Sequence, residues 1–333
     1  NPDNPQIQLS LCDFLITKKN YEELFMLLNN IILNSKMARE AKVSLMVRLI
    51  DIPELVKDHE DKLLVSLMLL EAYYKEDDII PLLRPELLIK NLRLMDASIR
   101  LEEIIKEKPE NYYAWEKLLL VYLQMRDYNK LLSKGEECAT KFNRSFLAKI
   151  LYANGALENS KYSVALEELR KAEILAGNNN DFIIQVLTMR ADVYYRMKDY
   201  TKAFEVFEDA LKSDKEDLTL INNYAYYLAE QNMKLKEAEE MAKKVIEKEK
   251  ENSTYLDTYG WVLYKRGKLN EAAKIMEKII NSGEKADAEW YEHYGFILKK
   301  QKKCVKAIEN WNIAVKLDST KTNLFKEIKD CRK

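Results

Sequence analysis

Few side chains in this sequence have the type and spacing that catalysis requires. Its two histidines are His59, inside the charged stretch KDHEDK, and His293, beside Glu292. The charges around His59 predict a solvated loop. His293 has no cysteine at motif spacing, so we expect a surface histidine rather than a general base. The sequence also lacks a glycine-rich phosphate loop, HExxH and GxSxG. We therefore predict no catalytic residue, no metal ligand, no cofactor and no enzymatic activity.

The composition favours a folded protein with a solvated surface of mixed charge. The 333 residues are 47% hydrophobic and 33% charged, with a formal net charge of −1. That balance lacks the positive excess that nucleic-acid binding requires. No apolar run reaches the ~20 residues that span a bilayer, and the best stretch, at 63–70, is followed by Glu71. The chain begins at Asn1 rather than Met, which leaves open whether a signal peptide or a lipid anchor preceded it.

Small residues recur at a nearly constant period through the last two thirds of the chain. The first series steps by 38, 34, 35 and 35 residues and the second by 38, 35, 34 and 35. The two series are Ala153, Ala191, Ala225, Gly260 and Gly295, and Ala165, Ala203, Ala238, Ala272 and Ala307. Short side chains let two helices approach closely. A fixed period of this size indicates one supersecondary unit that is copied and stacked, so we predict a solenoid.

Residues 253–287 show what one unit contains. Apolar residues from Leu256 to Leu263 recur at helical spacing, and a second apolar stripe begins at Leu269. Gly267 lies between the stripes and follows two cations, which is typical of the end of a helix. The unit is therefore predicted to be a helix, a tight turn and a second helix. The fold class is predicted to be all-α.

The residues of these units resemble the tetratricopeptide repeat family. Its repeat has Leu at position 7, Gly or Ala at 8, Tyr at 11, and Ala at 20 and 27. Residues 184–217 match through Leu187, Ala191, Tyr194, Ala203, Phe207 and Ala210. Residues 288–321 match through Tyr291, Tyr294, Gly295, Ala307, Trp311 and Ala314. The resemblance implies an α-α superhelix, a right-handed solenoid of antiparallel helix pairs.

The match to the family varies along the chain. We expect about six regular repeats in 112–321, degenerate repeat-like helices in 1–111 and a capping helix in 322–333. Repeat boundaries before residue 110 stay open. Pro81 and Pro85 fall where a first helix should lie, so we expect that helix to be shortened or kinked.

The four cysteines are scattered and form no CxxC pair. They are Cys12, Cys138, Cys304 and Cys331. This spacing favours neither a disulfide framework nor a metal site. Cys12 and Cys138 stand where the repeat requires small residues, so we expect buried free thiols.

A stretch of the regular repeats also resembles a bacterial group. The run from 222 to 268 is similar to the repeat-only proteins of Gram-negative bacteria, some of which are periplasmic or lipid-anchored. That resemblance implies a location in the bacterial envelope, while a cytoplasmic location stays open.

The family resemblance also implies where a ligand would bind. In this family the first helix of each unit lines an inner groove, mainly through positions 2, 5, 9 and 12. Positions 5, 9 and 12 place these residues in the groove: Thr188, Asp192, Tyr195, Asn222, Tyr226, Asp257, Trp261, Tyr264, Glu292 and Phe296. Tyr226, Trp261 and Phe296 stand 35 residues apart and would form an aromatic ladder. In the alternative interpretation, these rings pack against neighbouring helices and meet no ligand.

The charges at these positions limit the partner. The carboxylates of Asp192, Asp257 and Glu292 would repel an acidic tail, so a neutral, basic or apolar ligand fits better. Arg196 and Lys265, near the ends of first helices, are expected to complement helix dipoles. We predict a non-enzymatic scaffold that binds a peptide or protein in the concave groove. The alternative is a structural, self-assembling (oligomerisation) module of a bacterial envelope complex.

Overall fold

A computed structural model describes residues 4–332, and over that range the chain contains twenty α-helices, one short 3-10 helix and no strand. The all-α prediction is confirmed. The contacts divide the chain into two compact units, with the division between Leu175 and Ala176. The sequence instead predicts a boundary after residue 111. That prediction depends on how well each repeat matches the family pattern, whereas the division of the structure depends on contacts. Residues 1–3 and 333, which belong to the predicted terminal segments, lie outside the described residues.

The first unit contains eleven helices and the 3-10 helix among its described residues. They are α1 (Pro5–Thr17), α2 (Tyr21–Leu33), α3 (Arg39–Ile50), α4 (Pro53–Asp58), α5 (Glu60–Tyr73), the 3-10 helix Ile80–Leu82, α6 (Leu83–Lys90), α7 (Leu94–Glu107), α8 (Tyr112–Gln124), α9 (Tyr128–Lys141), α10 (Phe146–Glu158) and α11 (Tyr162–Ala176).

Prolines explain the irregular helices of this unit. Pro81 lies in the 3-10 helix, and Pro85 lies in the first turn of α6, which is only 8 residues long. Proline cannot donate a backbone hydrogen bond and is therefore best tolerated in a first turn. The predicted shortening of this helix is confirmed.

Buried thiols and one buried lysine belong to the core of the first unit. Cys12 and Cys138 are fully buried, as predicted, and burial raises the pKa of their thiols to about 11 and about 12. Lys42 is only 1% exposed. Its ammonium donates to the Ile32 carbonyl at 2.7 Å and lies 4.5 Å from the Tyr73 ring centre. Both contacts offset part of the cost of burying the charge.

The second unit contains nine helices among its described residues. They are α12 (Asn180–Arg196), α13 (Tyr200–Ser213), α14 (Leu218–Glu230), α15 (Leu235–Lys248), α16 (Ser253–Lys265), α17 (Leu269–Ile280), α18 (Ala288–Lys300), α19 (Cys304–Leu317) and α20 (Leu324–Cys331).

The helices of the second unit pack as four successive pairs. α12 packs on α13, α14 on α15, α16 on α17 and α18 on α19, and the first helices α12, α14, α16 and α18 contact one another in order. α20, in the segment predicted to cap the solenoid, packs on α19 and buries Leu324 and Ile328. The first helices therefore lie side by side, and residues at equivalent repeat positions become neighbours.

Local sequence signals fix where these helices begin and end. Asn and Asp side chains accept a hydrogen bond from a backbone N–H of the first turn and so replace a missing helical partner. These caps are Asn179, Asp199, Asp217, Asn252 and Asp287. Gly267 follows α16 with φ +80°, a left-handed conformation that glycine adopts without strain. The helix end that the sequence predicts at Gly267 is confirmed.

Among the described residues, no helix combines the length and the apolar character that crossing a membrane would need.

Candidate binding pocket

The first helices of the second unit enclose a concave pocket of about 570 Å³. Side chains of α12, α14 and α16 form most of its lining, and the start of α18 closes one side. The lining residues are Asp192, Tyr195, Arg196, Asn222, Asn223, Tyr226, Tyr227, Glu230, Thr254, Asp257, Thr258, Asp287, Glu289 and Trp290. The size is in the range that holds a small ligand or a few side chains of a peptide.

Hydrogen bonds between α12 and α14 fix one wall of the pocket. The Tyr227 hydroxyl donates to Asp192 at 2.5 Å, and the Tyr195 ring lies 4.2 Å from the Tyr227 ring. Gln231 donates to the Tyr195 hydroxyl at 2.7 Å, and Arg196 approaches Asp192 at 3.4 Å. The rings and the carboxylate of this wall are therefore held in place by each other.

A second hydrogen bond joins α14 to α18, which belong to repeats that are not adjacent in the chain. The Tyr226 hydroxyl on α14 donates to Glu289 on α18 at 3.0 Å, although the two residues are 63 positions apart. Burial and the nearby carboxylates of Glu289 and Glu230 raise the pKa of Tyr226. Burial and Asp192 raise the pKa of Tyr227 in the same way. Both phenols therefore stay protonated and act as hydrogen-bond donors over the physiological pH range.

A buried histidine contacts two lining residues of the pocket, Asp257 and Glu289. His293 is 4% exposed, and its Nδ1 lies 3.0 Å from both carboxylate oxygens of Asp257. Its Nε2 lies 3.8 Å from Glu289. Burial alone would lower the pKa of His293, but the charges of Asp257, Glu289 and Glu292 more than compensate and raise it. The expectation of a surface histidine is wrong, because this side chain faces the neighbouring first helix instead of solvent.

Trp261 is buried and contacts one lining residue of the pocket, Glu230. It is 6% exposed, stacks on His293 and on Tyr264, and donates its indole N–H to Glu230 at 2.7 Å. Lys265 pairs with Glu230 at 3.1 Å and lies 4.8 Å from the Trp261 ring centre. Lys265, predicted only to complement a helix dipole, therefore also neutralises a carboxylate of the pocket.

The pocket contains five of the ten residues expected in the groove. They are Asp192, Tyr195, Asn222, Tyr226 and Asp257. Thr188 lies one turn before Asp192 on α12, outside the lining, and Trp261 and Tyr264 lie in the stack described above.

The last two expected groove residues belong to contacts near the C-terminus. Glu292 pairs with Lys321 and accepts a hydrogen bond from Asn323 at 3.3 Å. The Phe296 ring meets the Trp311 ring edge-on, with centroids 5.3 Å apart. Their contacts join α18 to α19 and to the segment before α20.

Nine lining residues were missed by the sequence reasoning. Two of them, Thr254 and Glu289, stand at position 2 of their units, which the family pattern also assigns to the groove. Asn223 and Thr258 each follow a predicted groove residue directly, and no sequence signal distinguished them. Position 2 of the repeat therefore predicts part of the remaining lining.

His59, the other histidine, lies in the first unit and is not among the lining residues of this pocket. It joins α4 to α5, is half-buried, and its ring lies 5.0 Å from that of Tyr21 and 6.0 Å from that of Phe25. The prediction of a loop is confirmed at His59 itself, which lies in a bend between the two helices, but the residue is not fully solvated because the α2 rings cover part of it.

Both nitrogens of His293 face carboxylates, so neither is directed at a substrate atom as a general base requires. Across residues 4–332, no group of three or more His, Cys, Asp or Glu is arranged to hold a metal ion.

No protein-family model matches the sequence, and no curated protein matches it either. Solved structures do match it in fold. A tetratricopeptide repeat protein from Parabacteroides merdae is 15% identical with a TM-score of 0.61, covering 77% of this chain and 99% of its own. A monomeric IFIT1 mutant with m7Gppp-AAAA is 14% identical with a TM-score of 0.58, covering 96% of this chain and 79% of its own. A chain of the APC/C hetero-tetramer Cut9–Hcn1 is 13% identical with a TM-score of 0.55. The match covers 96% of this chain and 68% of that chain.

The helix pairs and the pocket on their first helices define a helical-repeat protein. With these structural matches, its repeats have the tetratricopeptide-type fold that the sequence resemblance implied.

Proposed function

We propose that the protein is a non-enzymatic scaffold that binds a peptide or protein segment in the pocket of the second unit. The observation that carries this proposal is the pocket itself, about 570 Å³ in volume and lined from four successive first helices. An extended segment can cross such a surface and contact several units at once. Tyrosine and tryptophan rings bury a large area at a low cost in conformational entropy, which suits a peptide site.

The arrangement of the polar groups also supports binding. The carboxylates and phenols of the pocket are hydrogen-bonded to one another across helices, so the surface is formed before a ligand arrives. Such preorganisation lowers the entropic cost of association. The matched structures include a complex of two proteins and one with m7Gppp-AAAA, and one fold can serve such different ligands. The carboxylates favour a polypeptide here, because they would repel the phosphates of a nucleic acid.

Site-specific photo-crosslinking tests this proposal. A photoreactive phenylalanine analogue would replace Arg196, at the exposed rim of the pocket, and Glu240, on the exposed face of α15, as the control. We expect a polypeptide to be crosslinked from the native extract at position 196 and not at 240. A Thr254→Trp substitution, which narrows the pocket, should remove the product. Equal products at both positions, or a product that survives Thr254→Trp, would contradict the proposal.

One exposed apolar face favours the alternative of self-assembly. Ile7, Leu11 and Phe14 lie at helical spacing on α1 and are 51%, 43% and 55% exposed. An apolar stripe of this kind is typical of a surface that another molecule covers. The mass in solution tests this alternative: a strict monomer at high protein concentration would exclude it, and a dimer that Phe14→Ser dissociates would support it.

A further inference from the structure

The pocket of the second unit is strongly acidic. Five carboxylates line it, from Asp192, Glu230, Asp257, Asp287 and Glu289. The basic side chains that face them are Arg196 on α12, Lys265 on α16 and His293 on α18. Even with all three charged, the carboxylates are in excess by two. Because several of these side chains are half-buried, solvent weakens their field less than it would on an open surface.

A second observation points to a ligand that donates hydrogen bonds. Asn222 is 4% exposed and lines the pocket. Its Nδ2 donates to Asn223 at 3.3 Å, but its Oδ1 is buried without a hydrogen-bond partner among the described residues. A buried acceptor without a donor costs free energy, and most such groups in folded proteins are satisfied. Rotation of the Asn222 side chain toward the pocket would expose this oxygen to a ligand with N–H groups, which would supply the missing donor.

Aromatic rings complete the chemistry of the site. Tyr195, Tyr226, Tyr227 and Trp290 line the same pocket. A guanidinium or an ammonium group is attracted to the face of such rings, and its apolar stem packs against them. Carboxylates, an unpaired carbonyl oxygen and aromatic rings together form a site for an organic cation.

We propose that this pocket binds an arginine or lysine side chain of the partner, so that the scaffold recognises a basic peptide segment. This inference rests on the proposed function, since it names the chemistry of the segment that the pocket accepts. Carboxylates on Asp192 and Glu289 attract the cation, and Asn222 Oδ1, once turned toward the pocket, accepts a hydrogen bond from one of its N–H groups.

Fluorescence anisotropy with two matched probes tests the inference. One is a labelled Gly/Ser peptide that carries several arginines, and the other has citrulline, which is neutral and similar in shape, at each of those positions. We expect the arginine peptide to bind at least about tenfold more tightly, with an affinity that falls as salt is added. Equal affinity for the two peptides would overturn the inference.

Isosteric variants test whether the preference for the arginine peptide comes from the pocket. The double variant Asp192→Asn, Glu289→Gln keeps hydrogen-bond acceptors and removes two charges, and should weaken binding of the arginine peptide by about thirtyfold or more. The control Glu205→Gln, Glu240→Gln removes the same charge from exposed sites on α13 and α15 and should leave binding unchanged. If both double variants weaken binding equally, only net charge matters and the inference is wrong.

Asn222→Leu tests the unpaired acceptor separately. This substitution removes Oδ1 at similar side-chain volume. It should weaken binding of the arginine peptide and leave the weak binding of the citrulline peptide unchanged. A thermal melt of each variant verifies that it is folded, and the charge variants decide the question if Asn222→Leu does not fold. An Asn222→Leu protein that is folded and binds the arginine peptide at full strength would exclude the role of Oδ1.

Three further outcomes separate the possible ligands and the two proposals. If free spermidine competes as strongly as the arginine peptide, the cation is a small polyamine and the peptide assignment is wrong. If position 196 crosslinks a polypeptide but arginine and citrulline peptides bind alike, the scaffold function stands and the preference for a cation fails. If no crosslink forms and neither peptide binds, the proposed function itself fails.

Discussion

Trp261 lies flat against His293, with ring centroids 4.0 Å apart and an angle of 15° between the ring planes. The tryptophan is on α16 and the histidine on α18, so the stack joins two successive repeats. Each ring is also bonded to another helix, because Trp261 donates to Glu230 on α14 and His293 to Asp257 on α16. The first helices of three repeats are therefore connected by one polar and aromatic network.

This network predicts that Trp261→Ala destabilises the protein. Removing a buried tryptophan leaves a cavity and takes one hydrogen-bond donor from Glu230, at a cost of about 3–5 kcal/mol. Trp290→Ala, which removes a half-buried ring from the pocket lining, is the matched control and should cost much less. Urea unfolding measures both. Similar losses of unfolding free energy in the two variants would show that the Trp261 stack contributes no special stability. Because Trp261 is buried, loss of binding in Trp261→Ala would not by itself identify a ligand contact.

His293 predicts a pH dependence of stability. Because its pKa is raised in the folded state, protonation favours folding. That stabilisation is complete below the unfolded pKa of about 6.5 and is lost as the pH rises through the higher folded value. Urea unfolding of the protein and of His293→Gln between about pH 6 and pH 9 tests this, and the variant should lose the decline. His59→Gln, which leaves the Asp257 pair intact, should keep it; a decline that persists in His293→Gln would assign it to another group.

Sequence periodicity predicted the helix pairs well, since each pair repeats a local pattern of apolar and small residues. It predicted the pocket only in part. Family positions 5, 9 and 12 include Asp192, Asn222 and Tyr226, but they also include Trp261, which is buried. A repeat position indicates the face of the helix on which a side chain lies. It does not indicate which residues of the next repeat pack against that side chain. The bond between Tyr226 and Glu289 crosses two repeats, so a pattern within one repeat could not reveal it.

Asp77 predicts a loss of stability in acid that belongs to the first unit. Arg39 donates to its carboxylate, and the backbone N–H groups of Ile79 and Ile80 donate at 2.8 and 2.9 Å. The Arg39 contact and these bonds, against a smaller opposing effect of burial, lower the pKa of Asp77 to about 2. The stabilisation is present above the unfolded pKa of about 3.9 and is lost as the pH falls toward 2, by about 1–2 kcal/mol.

The Asp77→Asn variant checks this assignment. It should be less stable at neutral pH and should lose less stability in acid than the unchanged protein. The matched control is Asp209→Asn, an exposed ion pair with Lys212 that should change little. An acid response in Asp77→Asn equal to that of the unchanged protein would exclude Asp77 as the source.

Gly260 and Gly295 occupy the same repeat position, yet the structure predicts different responses to alanine. A Cβ on Gly295 would lie 2.3 Å from Nε1 of Trp311, a fully buried ring, so the ring or the helix must move. Overpacking of this kind costs about 3 kcal/mol. A Cβ on Gly260 would lie 3.0 Å from the sulfur of Met276, the flexible end of a side chain that can shift. Alanine also favours a helix over glycine by about 1 kcal/mol, so Gly260→Ala should be nearly neutral.

Urea unfolding of the two glycine variants measures this difference, and a third variant assigns its cause. Trp311→Leu shortens the side chain that a new methyl group at position 295 would meet. If the clash is the cause, Gly295→Ala should cost much less in the Trp311→Leu background than in the unchanged protein, so the two substitutions are coupled. Additive losses would mean that Gly295 is required for its backbone conformation and not because Trp311 fills the space beside it. The pairing of a small residue on α18 with a large one on α19 would then not explain the glycine at this repeat position.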